Sequence, residues 1–282
     1  MTYCVAMRLD AGLVFLSDSR TNAGVDQIST FRKMTVFEHP GERLLVLLSA
    51  GNLAITQAVR QLVCEHTGPQ NRSVWNATSM RDAVQVVGEA VREVHVRDAK
   101  ALREFGIDFN CNFIFGGQIR GEAPRLFQIY AAGNFIEATP ENPYFQIGEA
   151  KYGKPIIDRV LRSDMALDEA AKLALISMDS TLRSNISVGM PLDLLVYERD
   201  ALRVTRFAQI DHDNPYMQMI RSTWGERLKQ VFLEIPDPLW RDSPAQAAAL
   251  RLQAEPMNPV RAPLPASLEG AAEPPAAPTA AH

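Results

Sequence analysis

Cysteine and histidine are scarce in this sequence, and it has neither a surplus of positive charge nor a long apolar run. Each shortage removes a class of protein. With 29 Lys and Arg against 33 Asp and Glu, the formal net charge is −4, which leaves no electrostatic footprint for nucleic acid. No apolar stretch approaches the roughly 20 residues that a membrane span requires, and the first residues lack the charged and apolar regions of a signal peptide. A cytoplasmic protein with no nucleic-acid and no membrane partner is expected. The three cysteines, Cys4, Cys64 and Cys111, are odd in number and have no metal spacing, which suits a reducing compartment. Gly51 and Gly116-Gly117 are not followed by Lys-Ser or Lys-Thr, so no phosphate-binding loop is present. There is no Gly-x-Ser-x-Gly elbow either. His212, in Asp211-His212-Asp213, has no second histidine nearby and reads as a loop residue. No metal and no cofactor are expected.

What is present is ample apolar material. With 46% hydrophobic and 22% charged residues over 282 positions, the chain can bury a sizeable core without staples. Composition shifts near Trp240. From Arg241 to His282 about half the residues are Ala or Pro and none is aromatic, so that segment cannot offset its ordering entropy by burial. It is expected to be a disordered tail, with a short helix around Ala245 to Ala254.

Within residues 2–240 the hydrophobic period alternates in blocks. Runs at 2–9, 13–17, 35–38 and 44–49 have strand length, and Asp10-Ala11-Gly12 supplies turn chemistry between the first two. Ile55, Val59, Leu62 and Val63 then mark one helix face, and Met80, Val84, Val87, Val91 and Val94 a longer one. Strands are expected at 111–116, 125–131 and 134–137. A second helix pair follows, with Pro155 in a first turn and Leu167, Ala171, Ala174 and Met178 on one face. Strands at 192–198 and 202–207, separated by Arg199-Asp200, close the pattern. Sheets with helices gathered in blocks predict an α+β layered sandwich.

The chemistry concentrates at boundaries of these elements. Removal of Met1, which is favoured before a small residue, would make Thr2 the N-terminus. An α-amine has a pKa of about 7.7–8.0 against about 10.4 for lysine, so such a threonine carries nucleophile and base on one residue. Asp18 falls at the end of the second strand. Phe31-Arg32-Lys33 leads into the next, and Ser49-Ala50-Gly51-Asn52 joins a strand to the first helix. Each also has a plain structural reading: Asp18 as a turn cap, Lys33 as a solvated strand-edge charge, and Gly51 as a tight connection with Asn52 capping the helix.

The set resembles the proteasome β-subunit family of N-terminal nucleophile hydrolases, and in particular its bacterial branch of proteasome-type proteases, the ancestral β-subunits (Anbu). Ser17-Asp18-Ser19-Arg20-Thr21-Asn22-Ala23-Gly24-Val25-Asp26 and Gln146-Ile147-Gly148-Glu149-Ala150-Lys151-Tyr152-Gly153-Lys154-Pro155 carry the likeness, which spans roughly residues 2–240. The stretch from Asp18 to Lys33 looks one residue shorter than in proteasome relatives. The resemblance implies a four-layer αββα sandwich of the N-terminal nucleophile hydrolase type. It further implies that Thr2 is the nucleophile and its α-amine the base, with Lys33 a cation beside the hydroxyl. Asp18 would fix Lys33, and the Gly51 N–H would point at the substrate carbonyl oxygen.

Ser180 to Gly189 falls where the family supports the terminal amine. Ser187 matches the supporting serine by its distance to Gly189, but the companion aspartate is not at its usual place, and Asp179 reads as a helix residue. Glu149 stands where proteasome subunits commonly have a serine. Its carboxylate would either hold the amine protonated or face solvent with Lys151. Cys4, two residues from Thr2, reads as a buried strand residue. The implied partners are a peptide or protein substrate and further copies of the chain in a ring or spiral homo-oligomer; service by an ATP-dependent unfoldase stays open. In the segment Pro215 to Trp240, Ile220, Trp224, Leu228 and Val231 near helical spacing would cover either their own sandwich or a neighbour. Two functions remain: a threonine-type amidohydrolase cleaving peptide bonds, or an assembling scaffold or binding subunit with little turnover.

Overall fold

The computed structural model describes residues 2–23, 27–65 and 72–238. The Ala/Pro tail, its short helix and Gly24-Val25-Asp26 lie outside these residues. All of the elements below belong to the compact unit Met1–Glu234.

The fold is mixed α/β. The first block supplies β1 (Tyr3–Leu9), β2 (Gly12–Asp18), β3 (Arg20–Ala23), β4 (Gln27–Thr30), β5 (Met34–His39) and β6 (Arg43–Gly51). Two helices follow, α1 (Leu53–Cys64) and α2 (Met80–Glu104), then β7 (Cys111–Ile119), β8 (Arg125–Ile129), β9 (Phe135–Glu137) and β10 (Tyr144–Gly148). The chain continues through α3 (Lys154–Val160), α4 (Leu167–Ser184), β11 (Leu192–Glu198), β12 (Arg206–Ile210) and α5 (Pro215–Glu234). One five-stranded sheet has the order β10-β1-β2-β11-β12, the other β5-β6-β7-β8-β9, and β3-β4 is a separate hairpin.

Side-chain alternation explains the continuous apolar runs. In β1, Tyr3, Val5, Met7 and Leu9 join a cluster with Ile157 of α3 and Leu167, Ala174 and Met178 of α4. Cys4 and Ala6, on the opposite face, join Leu44, Val46 and Leu48 of β6 and Ile114 of β7. Phe113 and Phe115 of β7 point the other way, to Val59 of α1 and Val84, Val87 and Val91 of α2. Strands buried on both faces have no polar face to show, so they read as unbroken runs rather than as alternation. The helix ends follow from capping: Asn52 accepts from the N–H of Ala54 at 3.0 Å, Ser79 Oγ accepts from Asp82 N–H at 3.0 Å, and Pro155 sits in the first turn of α3.

Three expectations are corrected. The last strand runs over Arg206–Ile210 rather than 202–207, because Asp200 and Leu202 adopt φ of 65° and 46° and prolong the turn. The short hairpin β3-β4 and the strand β10 were not anticipated. Neither carries a long apolar run, and β10 is held by pairing with β1, a long-range contact. Among the described residues, no helix is long and apolar enough to cross a membrane.

Candidate active site

Antiparallel pairing of β1 and β2 sets Cys4 opposite Ser17, which brings the start of the first strand beside the end of the second. Tyr3 N–H donates to Asp18 Oδ1 at 3.0 Å. Lys33, just ahead of β5, donates from Nζ to the same oxygen at 2.6 Å and to the Arg20 carbonyl at 2.7 Å. Gly189 N–H donates to Asp18 Oδ2 at 3.3 Å. Asp18 is therefore no turn cap, and Lys33, only 7% exposed, is no solvated strand-edge charge. Burial pushes the Asp18 carboxyl up from its ordinary range, against the pull of Lys33 and the two N–H donors.

Gly51 ends β6 opposite Cys111 of β7. It has φ of 117°, and a Cβ there would lie 2.4 Å from the Asn110 carbonyl oxygen. Glycine is required by both conformation and space, and the connection to α1 is tight as well, with Asn52 capping. Thr2, Lys33, Gly51 and Gly148 line one cavity of about 600 Å³. So the structure brings Thr2, Asp18, Lys33 and Gly51 together. Ser187 does not line that cavity. Its N–H donates to Asn185 Oδ1 at 2.9 Å, in the turn after α4.

Glu149, which the sequence analysis singles out, completes the surroundings of Thr2 together with Gly148 and Asn185, which it gives no role. The Glu149 N–H donates to the Thr2 carbonyl at 2.6 Å, extending the β1-β10 pairing by one step. Gly148 has φ of 84°, and a Cβ on it would sit 2.0 Å from the Thr2 carbonyl oxygen. The Glu149 side chain is buried rather than solvent-facing. It accepts from Asn185 Nδ2 at 3.0 Å, and the exposed Lys151 Nζ stands 3.9 Å away. The sequence signal for this corner was the Ile147-Gly148-Glu149 step; Asn185 carried none of its own. Asp179 of α4 is buried and pairs with Arg221 at 3.0 Å and Arg183 at 3.3 Å, so it is taken up between α4 and α5.

Cys4 is fully buried on the face away from Tyr3. Burial and the neighbouring Asp18 push its thiol far above the ordinary range, so it supplies no thiolate. His212 lies in the turn before α5.

Comparison with known proteins bears on this geometry. A family model described as proteasome subunit matches residues 101–196. Anbu (ancestral beta-subunit) from Yersinia bercovieri is 55% identical with a TM-score of 0.80, covering 86% of this chain and 100% of that one. Anbu from Hyphomicrobium sp. strain MC1 is 56% identical with a TM-score of 0.77, covering 85% and 100%. A structure titled as the helical assembly of the Anbu complex from Pseudomonas aeruginosa is 50% identical with a TM-score of 0.80, covering 84% and 98%. No curated protein matches the chain.

Proposed function

The chain belongs to the Anbu branch of the proteasome subunit family, and from that premise we propose that it is a threonine-type peptidase whose nucleophile is Thr2. The observation that carries this reading is the buried Asp18–Lys33 pair, whose Lys33 lines the cavity that Thr2 and Gly51 also line. A scaffold would have no use for a desolvated cation placed there.

Once Met1 is removed, the Thr2 amine takes the proton of its own Oγ, directly or through one water, as Oγ attacks a peptide carbonyl carbon. Lys33 stabilises the negative charge that develops on the hydroxyl oxygen. Asp18 does not touch substrate; it positions Lys33. The Gly51 N–H donates to the carbonyl oxygen as it becomes an oxyanion, and a lost donor of this kind costs about 2.7–4 kcal/mol of transition-state stabilisation. The tetrahedral intermediate collapses as the C–N bond breaks and the leaving amine takes the proton held on the Thr2 amine; water then hydrolyses the acyl-enzyme on Thr2 Oγ, with the amine as base again. Ser187 supports this centre only through Asn185, whose carboxamide links it to Glu149.

The layers are proposed as αββα. Three separate apolar clusters support that order: one joins β6 and β7 to α1 and α2, one joins β1 and β6, and one joins β1 to α3 and α4. Self-association into a ring or spiral in the cytoplasm completes the proposal, and the helical assembly of the Pseudomonas aeruginosa relative supports the self-association.

The test is intact-protein mass spectrometry after incubation with a threonine-directed β-lactone. One adduct mapped to Thr2 is expected. An N-terminus that retains Met1 on nearly all chains, or an unlabelled Thr2, would sink the mechanism.

A further inference from the structure

Two consecutive basic side chains leave one short segment for two different strands. Phe31, Arg32 and Lys33 lie between β4 and β5 and belong to neither. Lys33 reaches Asp18, the last residue of β2. Arg32 reaches Asp193 of β11, with Nε 3.1 Å from Oδ2. In the antiparallel pairing of these two strands Leu192 stands opposite Asp18 and Asp193 opposite Ser17, so the two carboxylates are one register step apart. The segment is clamped to the sheet at both basic residues.

The second pair is unlike a surface salt bridge. Arg32 is 55% exposed, but Asp193 is only 3% exposed, and it stands in a row with Cys4 and Ser17 across β1, β2 and β11. Burial pushes its carboxyl up from the ordinary range, and Arg32 pulls the other way. Its Oδ1 has no hydrogen-bond partner among the described residues, so the charge depends on the guanidinium. That guanidinium also lies over the Phe207 ring of β12, 5.7 Å from its centroid. A buried carboxylate paired in this way adds little net stability over apolar residues of the same volume. What it supplies is a fixed position for its partner.

Backbone contacts leave the middle of the segment to that side chain. Phe31 N–H donates to the Ser19 carbonyl at 2.7 Å, and the Lys33 carbonyl accepts from Ser49 N–H at 3.1 Å. These hold the two ends; the Arg32 side chain holds what lies between.

Resting on the peptidase reading of Thr2, we infer that Asp193 and Arg32 are positioning residues: their pair fixes the segment that carries Lys33, and with it the place of the ammonium beside Thr2. Neither lines the cavity; both act through Lys33.

Two readouts on the full-length protein test it. Acetylation of Lys33 by acetic anhydride, mapped by peptide mass spectrometry with the exposed Lys100 and Lys172 as references, reports how firmly the ammonium is held and needs no catalysis. Saturation kinetics with the β-lactone separates its binding from the rate of Thr2 acylation. Asp193→Asn is expected to raise Lys33 acetylation several-fold relative to the references and to slow Thr2 acylation about tenfold, with lactone binding unchanged. Arg32→Gln should do the same, and Arg32→Lys should recover part of the loss; if Asp193→Asn does not fold, these two arginine variants decide. Val196→Ala is the control for stability alone. It opens a cavity on the same strand but in the cluster with α4, on the face away from Asp193, so both readouts are expected to keep the parent's values. Lys33 acetylation unmoved in the folded variants, acylation unmoved in them, or equal changes in Val196→Ala would overturn the inference. A parent whose Thr2 takes no lactone strikes the peptidase reading, and Lys33 acetylation still judges the anchor.

Discussion

Lys33 Nζ donates to Asp18 Oδ1 at 2.6 Å in a pair whose side chains are only 7% and 0% exposed. Removing one member of a buried pair leaves the other charge uncompensated, at a cost of about 3–5 kcal/mol. Lys33→Ala is therefore expected to abolish Thr2 labelling and also to lower stability by that amount. A solvated strand-edge lysine, the plain reading of Lys33, would contribute little to stability; its burial overturns that reading. Asp18→Asn keeps one acceptor oxygen, for Tyr3 N–H and Lys33, turns an amide NH2 toward the Gly189 N–H, and should lose labelling less steeply. Urea unfolding beside labelling rates checks both; a Lys33→Ala variant that labels as fast as the parent would remove Lys33 from the chemistry.

Gly148→Ala tests the wall behind the nucleophile. A Cβ there collides with the Thr2 carbonyl oxygen, and φ of 84° is strained for alanine, at about 1–3 kcal/mol for a residue of this kind. The expected outcome is a folded, less stable protein with labelling reduced about 100-fold or more, since small misplacements of reacting groups cost that much. Unchanged labelling would show that Thr2 is positioned by other contacts.

The parts legible in the sequence are those set by local chemistry. Asp10-Ala11-Gly12 gave the first hairpin, Asn52 and Pro155 their helix starts, and the helix faces from Ile55 to Met178 their period. Asp18, Lys33 and Gly51 each stand where one element meets another, and it is the family resemblance that gives those boundary residues their roles. What escaped depends on distant pairing. Asn185 meets Glu149 across 36 residues, and Gly189 reaches Asp18 across 171. No window of sequence contains either contact. Spacing to Gly189 points to Ser187, while the turn presents the Gly189 amide itself to Asp18.

Glu149→Gln addresses the base. The Glu149 amide holds the Thr2 carbonyl, and its buried carboxylate has one close hydrogen-bond donor, Asn185 Nδ2; the exposed Lys151 at 3.9 Å contributes little. A carboxylate beside an amine favours the ammonium form, which is no base. Labelling should then rise with pH as the amine loses its proton. Glutamine preserves an acceptor for Asn185 and removes the charge, so the rise is expected about one pH unit lower, with faster labelling at neutral pH. A pH profile of the labelling rate checks it; superimposable profiles would place the carboxylate's influence elsewhere than on the amine.

The last prediction concerns α5. Its first half is anchored: Met217 and Ile220 are buried in the cluster with α4 and β1, and Arg221 pairs with Asp179. The second half is not. Leu228 and Val231 are about half exposed at 51% and 52%, and Phe232 and Leu233 reach 74% and 80%, an apolar face that water should not keep. The proposed homo-oligomer supplies its cover, since aromatic residues and methionine are enriched where subunits meet. Truncation after Gln209 is a poor test, because it removes Ile210, Met217 and Ile220 from the core. Leu228→Glu with Phe232→Glu leaves that anchor in place and puts charges only on the exposed face. Sedimentation velocity is expected to show smaller species than the parent with an unchanged circular dichroism spectrum. A parent that sediments as a monomer would defeat the assembly proposal, and an undiminished large species in the double variant would exclude this half of α5 as a main contact.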